Sequence, residues 1–205
     1  LDRYRLRKTL GYAVLEAKLS EATLFSIGHT RQENNTRGGM WGALPLYYKD
    51  LSPTGYDVST STSAEWSRWD TRTSNTFAEL THRVGDWDLR AVLGHTDTSS
   101  DSKLQYVYGT PVRGTEEELY AYPSVYGSEH RQSLADLSAT GKFSLGGRRH
   151  DLTVGAAWSR SRLDDLSLYG QGIGTPLTIE TAFGGAYPEP SFVARTDGSS
   201  YQGGR

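Results

Sequence analysis

The stretch that decides the fold covers residues 75–97 and reads NTFAELTHRVGDWDLRAVLGHTD. On each side of Gly85 and Asp86, apolar and polar side chains alternate, as Leu89 does with Arg90. Successive side chains of a strand point to opposite faces, so a period of two predicts strands whose faces meet different environments. A two-residue connection that contains glycine is typical of a tight hairpin. The stretch therefore predicts an antiparallel hairpin of residues 75–84 and 87–97.

Two further pairs of segments repeat this alternation. Residues 10–19 and 22–32 are joined around Ser20 and Glu21, and residues 132–145 and 152–161 are joined by residues 146–149. Each segment has roughly ten residues, which is the length that a tilted strand needs to cross a bilayer. The sequence therefore predicts an all-β chain with about six strands in three hairpins.

The connections between the hairpins are long, whereas the turns within them are short. They cover residues 33–70, residues 100–129, and the chain from residue 162 past Tyr201. Outer-membrane barrels combine short periplasmic turns with long extracellular loops, while loops this long count against a compact soluble domain. Trp87, Phe143 and Trp158 fall on the apolar faces, as the interfacial aromatic girdles of such barrels do. We therefore predict a fragment of an antiparallel transmembrane β-barrel in the bacterial outer membrane.

The alternation by itself leaves two other functions open. A soluble sheet has the same period of two with its apolar face turned inward. One alternative is a soluble or cell-surface β-sandwich that binds carbohydrate through aromatic side chains, and this requires strands that pair into two sheets. The other alternative is a general diffusion porin, which lacks a plug and a saturable ligand.

The number of predicted strands bears on the domain organisation. Six strands are too few to close a membrane barrel, because the smallest have about eight. An open sheet edge in lipid would leave backbone groups unpaired. The sequence also shows neither an initiator Met nor a signal peptide at its start. We therefore expect residues 1–205 to be a partial barrel domain, incomplete at both ends and without a plug.

Composition argues against several other classes of protein. The absence of Cys excludes thiol catalysis and disulfides. The 22 Lys and Arg residues are balanced by 24 Asp and Glu residues without a long block of one sign, so the basic surface of a nucleic-acid-binding protein is missing. The five His residues lack the spacing of metal ligands. We expect no enzyme activity, no metal site, no cofactor and no nucleic-acid partner.

Several stretches resemble the TonB-dependent ferric-siderophore receptors of Gram-negative outer membranes. LDRY at residues 1–4 and GYAVLEA at residues 11–17 are similar to an early barrel hairpin of that family. GALPLYYKD, SPT and STSTSAEW, which begin at residues 42, 52 and 59, are similar to a loop of its hydroxamate and pyoverdine-type receptors, and YPEP follows at residue 187. The family usually has glycine where this chain has Leu51.

This resemblance implies a barrel of roughly 22 strands that is occluded by an amino-terminal plug. It implies a receptor and transporter for ferric siderophores that is energised by the TonB system. The partners implied are a ferric siderophore, outer-membrane lipid, and the TonB energy-coupling complex, which would act through the plug that this chain lacks.

Aromatic residues of the long connections are the candidate ligand-binding residues. A siderophore wraps its own iron, so a receptor grips the chelate through aromatic walls and a few polar groups without ligating the metal. The alternative for each ring is that it only packs the loop. A second aromatic group lies in the next connection, at Tyr106, Tyr108, Tyr120, Tyr122 and Tyr126. The candidate siderophore-binding residues, including one cation for an anionic chelate, are Trp41, Tyr47, Tyr48, Tyr56, Trp66, Trp69 and Arg68.

Overall fold

The computed structural model describes residues 1–115 and 117–194. Its strands form one antiparallel sheet in which each strand pairs with the next along the chain. The all-β prediction with three hairpins is confirmed, and a short seventh strand extends the sheet. The elements are β1 (Arg5–Ser20), β2 (Thr23–Arg37), β3 (Arg68–Val84), β4 (Trp87–Gly109), β5 (Leu119–Leu145), β6 (Arg148–Gly170), α1 (Ile179–Phe183) and β7 (Phe192–Ala194).

Three tight turns close the hairpins at one end of the sheet. Residues 21–22 join β1 to β2, and residues 85–86 join β3 to β4. Gly146 and Gly147 join β5 to β6 with φ angles of 58° and 74°. Two successive positive φ angles are the geometry of a type I′ turn, which glycine adopts without steric cost. The predicted four-residue turn is therefore only two residues long, because Arg148 already belongs to β6.

The strands extend well beyond the roughly ten residues predicted. β4 has 23 residues and β5 has 27, so the predicted connection over residues 100–129 is wrong and reduces to residues 110–118. β6 likewise continues to Gly170, past the predicted end of its strand. Backbone pairing continues in these extensions, but polar and charged residues replace most of the apolar ones, so the apolar alternation that marks a strand disappears.

The register places the predicted apolar faces on one side of the sheet, which we call the outer face. Apolar residues on this face are exposed, with Leu93 and Leu137 at 61% and 60%. On β5 they recur from Ala135 to Leu145, which corresponds to a height of about 25 Å for a strand tilted by ~45°. That height matches the apolar band of a membrane barrel. We call this apolar band of the outer face the lipid belt. One of its rows consists of Ala17, Phe25, Leu80, Ala91, Leu137 and Ala156.

Tryptophan side chains mark the two borders of the lipid belt. Trp87 lies beside the turn after β3, and its ring covers Gly141 on the neighbouring strand so closely that a Cβ there would lie 2.3 Å from the ring. Trp158 lies opposite Ala135 at the other border and is 58% exposed. Indole rings prefer this interfacial height, as the sequence predicted. The opposite side of the sheet, the inner face, carries ion pairs such as Arg90–Glu79 at 2.7 Å.

A small hydrophobic core lies at the end of the sheet that is remote from the tight turns. There the chain between β2 and β3 and the chain after β6 pack onto the extended β4–β5 hairpin. Helix α1 begins with a capping box in which the Thr178 side chain accepts from the Thr181 N–H. In the described part of the chain, no helix is long and apolar enough to span a membrane. The core consists of Ala64, Val107, Leu119, Ala121, Leu177, Ala182 and Tyr187.

The Arg3 side chain, just before the start of β1, holds these segments together through hydrogen bonds. Its guanidinium donates hydrogen bonds to the backbone carbonyls of Ser61 at 2.7 Å, Ser63 at 3.1 Å and Phe183 at 2.9 Å. Ser61 and Ser63 are fully buried, so their carbonyls depend on protein donors. Arg3 itself has a φ of 65°, in the left-handed region that non-glycine residues seldom occupy. One side chain thus ties the start of β1 to two distant segments.

Candidate functional site

Aromatic side chains form a continuous wall on the inner face, at the end of the sheet that carries the long connections. The strand residues of this wall share one face because they alternate in step with the inner face of the sheet. Trp41 joins them from the connection between β2 and β3. The aromatic wall consists of Trp41, Trp69, Tyr106, Tyr108, Tyr120, Tyr122, Tyr126 and Tyr169.

Three of these rings are stacked in parallel. The ring of Trp41 lies between Trp69, at a centroid distance of 5.9 Å, and Tyr126, at 5.1 Å, and both interplanar angles are 23°. Trp69 is held in place because its indole N–H donates to Ser100 Oγ at 2.8 Å. Offset stacking at these distances stabilises each pair by about 0.5–1.5 kcal/mol beyond the burial of area.

Gly42 brings the Trp41 segment against the strands. Its φ is +85°, and a Cβ at this position would lie 2.3 Å from the ring of Tyr106. Trp41 also forms an isolated parallel bridge with Tyr106. A glycine is therefore required here both by the backbone conformation and by the close approach of the ring. The connection between β2 and β3 therefore packs directly on β4, and this contact positions Trp41 in the stack.

The stack borders a groove of about 340 Å³ on the inner face. The three stacked rings provide flat apolar walls, while serine hydroxyls and one carboxylate provide polar groups at the strand positions between them. This combination of apolar surface with a few directed polar groups is typical of small-molecule sites. The aromatic groove is lined by Trp41, Trp69, Tyr126, Ser100, Ser102, Ser128, Asp165 and Ser167, with Gly127 and Leu166 completing the lining.

The tyrosines of β4, β5 and β6 continue the wall beyond the groove. Tyr169 bridges the two parts, because its ring meets Tyr126 edge-on at 6.3 Å and Tyr122 edge-on at 6.0 Å. Tyr122 in turn meets Tyr106 at 6.5 Å, and Tyr108 packs on Tyr120 at 5.6 Å. The rings therefore hold one another in position.

The predicted site residues divide between the groove and other places. Trp41 and Trp69 lie together in the aromatic groove. Arg68 lies on the outer face instead, because it precedes Trp69 in β3, and it pairs with Asp70 at 3.3 Å and Asp101 at 2.5 Å. Consecutive strand residues point to opposite faces, so Arg68 and Trp69 face opposite sides of the sheet.

Trp66 packs against the small core, and Tyr56 packs on Phe183 beside it. The indole N–H of Trp66 donates to the backbone carbonyl of Tyr187 at 2.9 Å, and its ring meets Phe192 edge-on at 6.0 Å. The ring of Tyr56 lies 5.0 Å from that of Phe183. Both side chains hold the long connections together, which is the packing role weighed for each loop ring in the sequence.

Tyr47 and Tyr48 lie at the far tip of the connection between β2 and β3. Tyr47 is 55% exposed, and the Arg113 guanidinium lies 5.2 Å from the centre of the Tyr48 ring. Asp50 accepts a hydrogen bond from the Ser52 backbone N–H at 2.9 Å and also from the Ser52 hydroxyl. These bonds, with Arg113 nearby, hold the pKa of Asp50 below its ordinary value. The tip is thus a separate polar and aromatic surface.

Tyr169 and Tyr126 were absent from the predicted site. Tyr126 was recognised as an aromatic of the second connection, and Tyr169 fell in the predicted third connection. Extending the alternation along β5 and β6 would have placed both rings on the face of Trp69. Burial raises the pKa of the core residue Tyr187. Within the described ranges, no three His, Asp or Glu side chains are grouped so as to hold a metal ion.

No protein-family model matches the sequence. Among curated proteins, the chain is 27% identical over 172 residues to the ferripyoverdine receptor of Pseudomonas aeruginosa. It is 30% identical over 157 residues to the ferric-pyoverdine M114 receptor of a Pseudomonas species. These alignments cover 82% and 76% of this chain, but 21% and 19% of the two relatives. The chain therefore spans about a fifth of the length of the curated relatives that it matches.

Two solved structures share the fold. The ferripyoverdine receptor of the outer membrane of P. aeruginosa, bound to ferripyoverdine, has a TM-score of 0.82 at 23% identity, over 97% of this chain and 26% of that one. The ferric preacinetobactin receptor from Acinetobacter baumannii has a TM-score of 0.72 at 15% identity, over 93% and 28%. The predicted outer-membrane barrel fold is confirmed, and the relatives are receptors rather than enzymes.

Proposed function

The chain is homologous to a segment of the outer-membrane ferric-pyoverdine receptors, and we propose that it is part of the barrel wall of a ferric-siderophore receptor. The parent protein would bind the chelate from outside and transport it inward with energy from the TonB system. The family resemblance supports the transport step, and the ferripyoverdine-bound neighbour has the same strand architecture.

The observation that carries this proposal is the stack of Trp41, Trp69 and Tyr126 beside the aromatic groove. It lies on the inner face, which in a barrel encloses the ligand path, and at the end of the sheet with the long connections. A metal chelate is bulky and is recognised through its organic shell, so flat rings and hydroxyls are suitable contacts. We therefore propose Trp41 and Trp69 as ligand-contacting residues, with Tyr126 as the third ring of the site.

The domain organisation is also a proposal. The described strands form one open sheet whose edges at the height of the lipid belt are β1 and β6, because β7 pairs only with Leu168–Gly170 of β6. An edge in lipid has unpaired backbone groups, which cost several kcal/mol each, so further strands are required on both sides. We propose that those strands, and the plug through which TonB acts, belong to other parts of the parent protein.

The alternatives lose support from the same observations. A β-sandwich requires two sheets, whereas the described strands form a single sheet with an exposed apolar belt. A general diffusion porin requires no aromatic binding site, and the relatives are receptors.

Substitution of the stacked tryptophans tests the proposed site. In cells that produce the full-length protein as their only ferric-siderophore receptor, binding and uptake of radiolabelled ferric pyoverdines are measured at several concentrations. W41L with W69L is expected to weaken binding about 10- to 100-fold, because a few buried aromatic anchors carry most binding energy. W158L is the matched control, since it removes an indole from the lipid belt.

Normal binding by the W41L and W69L double variant would overturn the site assignment. Equal losses in that variant and in W158L would assign the effect to barrel stability. If no ferric siderophore binds to the unaltered protein, the proposed function itself fails.

A further inference from the structure

Two consecutive aspartates of β6 lie on opposite faces of the sheet, and they differ in their contacts. Asp164 is on the outer face, where the Arg162 guanidinium donates to its carboxylate at 2.9 Å. Asp165 is on the inner face, opposite Ser128 of β5, and it lines the aromatic groove. Among the described residues, the Asp165 carboxylate accepts no hydrogen bond and forms no ion pair. The groove therefore contains a carboxylate that the described part of the fold does not use.

Other carboxylates on the inner face behave differently. Five of them lie on the described strands, and each has a basic or hydroxyl partner within 4.0 Å. Asp165 is the exception among the strands that the structure describes, and it is the one carboxylate that lines the aromatic groove. The five paired carboxylates are Glu16, Glu79, Asp88, Asp136 and Asp151.

The inner face at the height of the groove supplies no charge to balance Asp165. From the row of Phe77 to the row of Trp69, strands β1 to β6 place one carboxylate, Asp165, and one Lys or Arg side chain, Lys8, on this face. Lys8 is five strand spacings away, or about 24 Å, which is well beyond the roughly 8 Å screening length of physiological salt. The neighbouring His130 is bonded to a serine hydroxyl at 2.6 Å. Asp165 is thus an isolated negative charge.

The aromatic rings beside Asp165 favour a ligand charge of the same sign as the carboxylate does. Tyr126 is opposite Ser167 on β6, so Tyr126 and Asp165 are diagonal neighbours roughly 7 Å apart. Trp69 is 44% exposed and borders the same groove. The faces of aromatic rings attract cations that lie within about 6 Å of the ring centre, and Trp does so most strongly. A carboxylate beside such rings is suited to an ammonium or guanidinium group.

The charge of the groove is opposite to the one that the sequence led us to expect. Arg68 was predicted to pair with an anionic chelate, but it lies on the outer face with Asp70 and Asp101. None of the residues that line the groove is Lys or Arg. The groove therefore offers a counter-charge to a cationic substituent and none to an anionic one.

We propose that Asp165 selects ferric siderophores whose organic shell carries a cationic substituent, an ammonium or a guanidinium, on the part that enters the aromatic groove. This inference rests on the proposed function and adds a specificity-determining contact to it. The rings hold the apolar part of the chelate, and Asp165 accepts charge-assisted hydrogen bonds from the cation. A neutral substituent at the same place would remove water from Asp165 without replacing the lost hydrogen bonds.

The test uses cells that produce the full-length protein as their only ferric-siderophore receptor, and two probes that differ by one charge. One probe is a radiolabelled ferric pyoverdine with a primary amine on its peptide. The other is the same ferric pyoverdine after N-acetylation of that amine. The unaltered protein is expected to bind the amine probe about tenfold more tightly, because a hydrogen bond between charged groups is lost on acetylation.

D165N is expected to bind both probes within about twofold of each other, and to bind the acetylated probe as the unaltered protein does. The Asp165 carboxylate has no partner among the described residues, so the amide leaves none of them unpaired and the variant is expected to fold. D151N is the matched control, since it removes a carboxylate from the same face of β6 near a tight turn. It is expected to keep the tenfold preference for the amine probe.

Equal binding of the two probes by the unaltered protein would overturn this proposal and leave the proposed function intact. The proposal is also overturned if D165N prefers the amine probe as strongly as D151N does, or if it loses both probes to the same extent. If the unaltered protein binds neither probe, the proposed function fails, and this inference fails with it.

Discussion

Replacement of Arg3 by Met is expected to loosen the outer end of the sheet while the strands remain paired. The substitution keeps much of the side-chain volume but removes three hydrogen bonds, to Ser61, Ser63 and Phe183. A buried carbonyl without a donor costs about 1–3 kcal/mol. The site is partly buried and water can replace some donors, so we expect a loss of about 3 kcal/mol for local opening.

A loss of this size raises the opening equilibrium of the attached segments roughly a hundredfold. The assay is amide hydrogen exchange of the full-length protein in detergent, read over residues 59–67 and 183–187. Arg5→Met is the matched control, because Arg5 is exposed and makes no ion pair in the described ranges. Unchanged exchange in Arg3→Met relative to the control would refute the fastening role, and faster exchange throughout β1 to β6 would show a general loss of stability instead.

Two further predictions concern the belt border and the loop tip. Gly141→Ala is expected to destabilise the barrel by about 1–3 kcal/mol, because a Cβ there would lie 2.3 Å from the Trp87 ring. Gly127→Ala is the control, because the nearest atom to a Cβ at that position is 3.7 Å away. Equal melting temperatures of the two variants would contradict this packing of Trp87 on Gly141. Because its pKa is lowered, the Asp50 carboxylate stabilises the loop tip at any pH above 3.8, its ordinary pKa. This stabilisation is lost as the pH falls below that value. Protection of the Ser52 amide should therefore persist down to about pH 4, and a loss already near pH 6 would contradict the assignment.

The membrane-spanning part of the fold was predictable because lipid and lumen impose opposite polarities on the two faces of each strand. Leu80, Leu89, Leu137 and Val154 were placed on the correct face from alternation alone. Two of the three tight turns were also marked by glycine, at Gly85 and at Gly146 with Gly147. In the lipid belt, the alternation in the sequence and the strand register have the same physical cause, which is the exclusion of polar side chains from the bilayer.

The strand extensions above the belt were not predictable in this way. Residues 99–102 read Ser-Ser-Asp-Ser, and Pro123 lies within β5, so neither period nor propensity indicates a strand there. Backbone pairing across the long β4–β5 hairpin supplies the stability instead. This error also separated Tyr126 from Trp69 in the predicted site, although both lie on one face.

Arg68 shows why a site cannot be assembled from neighbours in sequence. It was grouped with Trp69 because both lie in the predicted first long connection, residues 33–70. Because β3 begins at Arg68, alternation places the two side chains on opposite faces, with Arg68 on the outer face and Trp69 in the aromatic groove. Alternation does not mark where a strand begins when that end of the strand is polar. The start of β3 was therefore missed, and with it the face on which Arg68 lies.

The most direct test of the central claim is a structure of the full-length protein with its bound ferric siderophore. We predict a barrel in which residues 5–170 form consecutive wall strands, with the chelate on the inner face and its organic shell in contact with Trp41, Trp69 and Tyr126. A chelate bound away from these rings, or a closed soluble fold without a lipid-facing belt, would contradict the account.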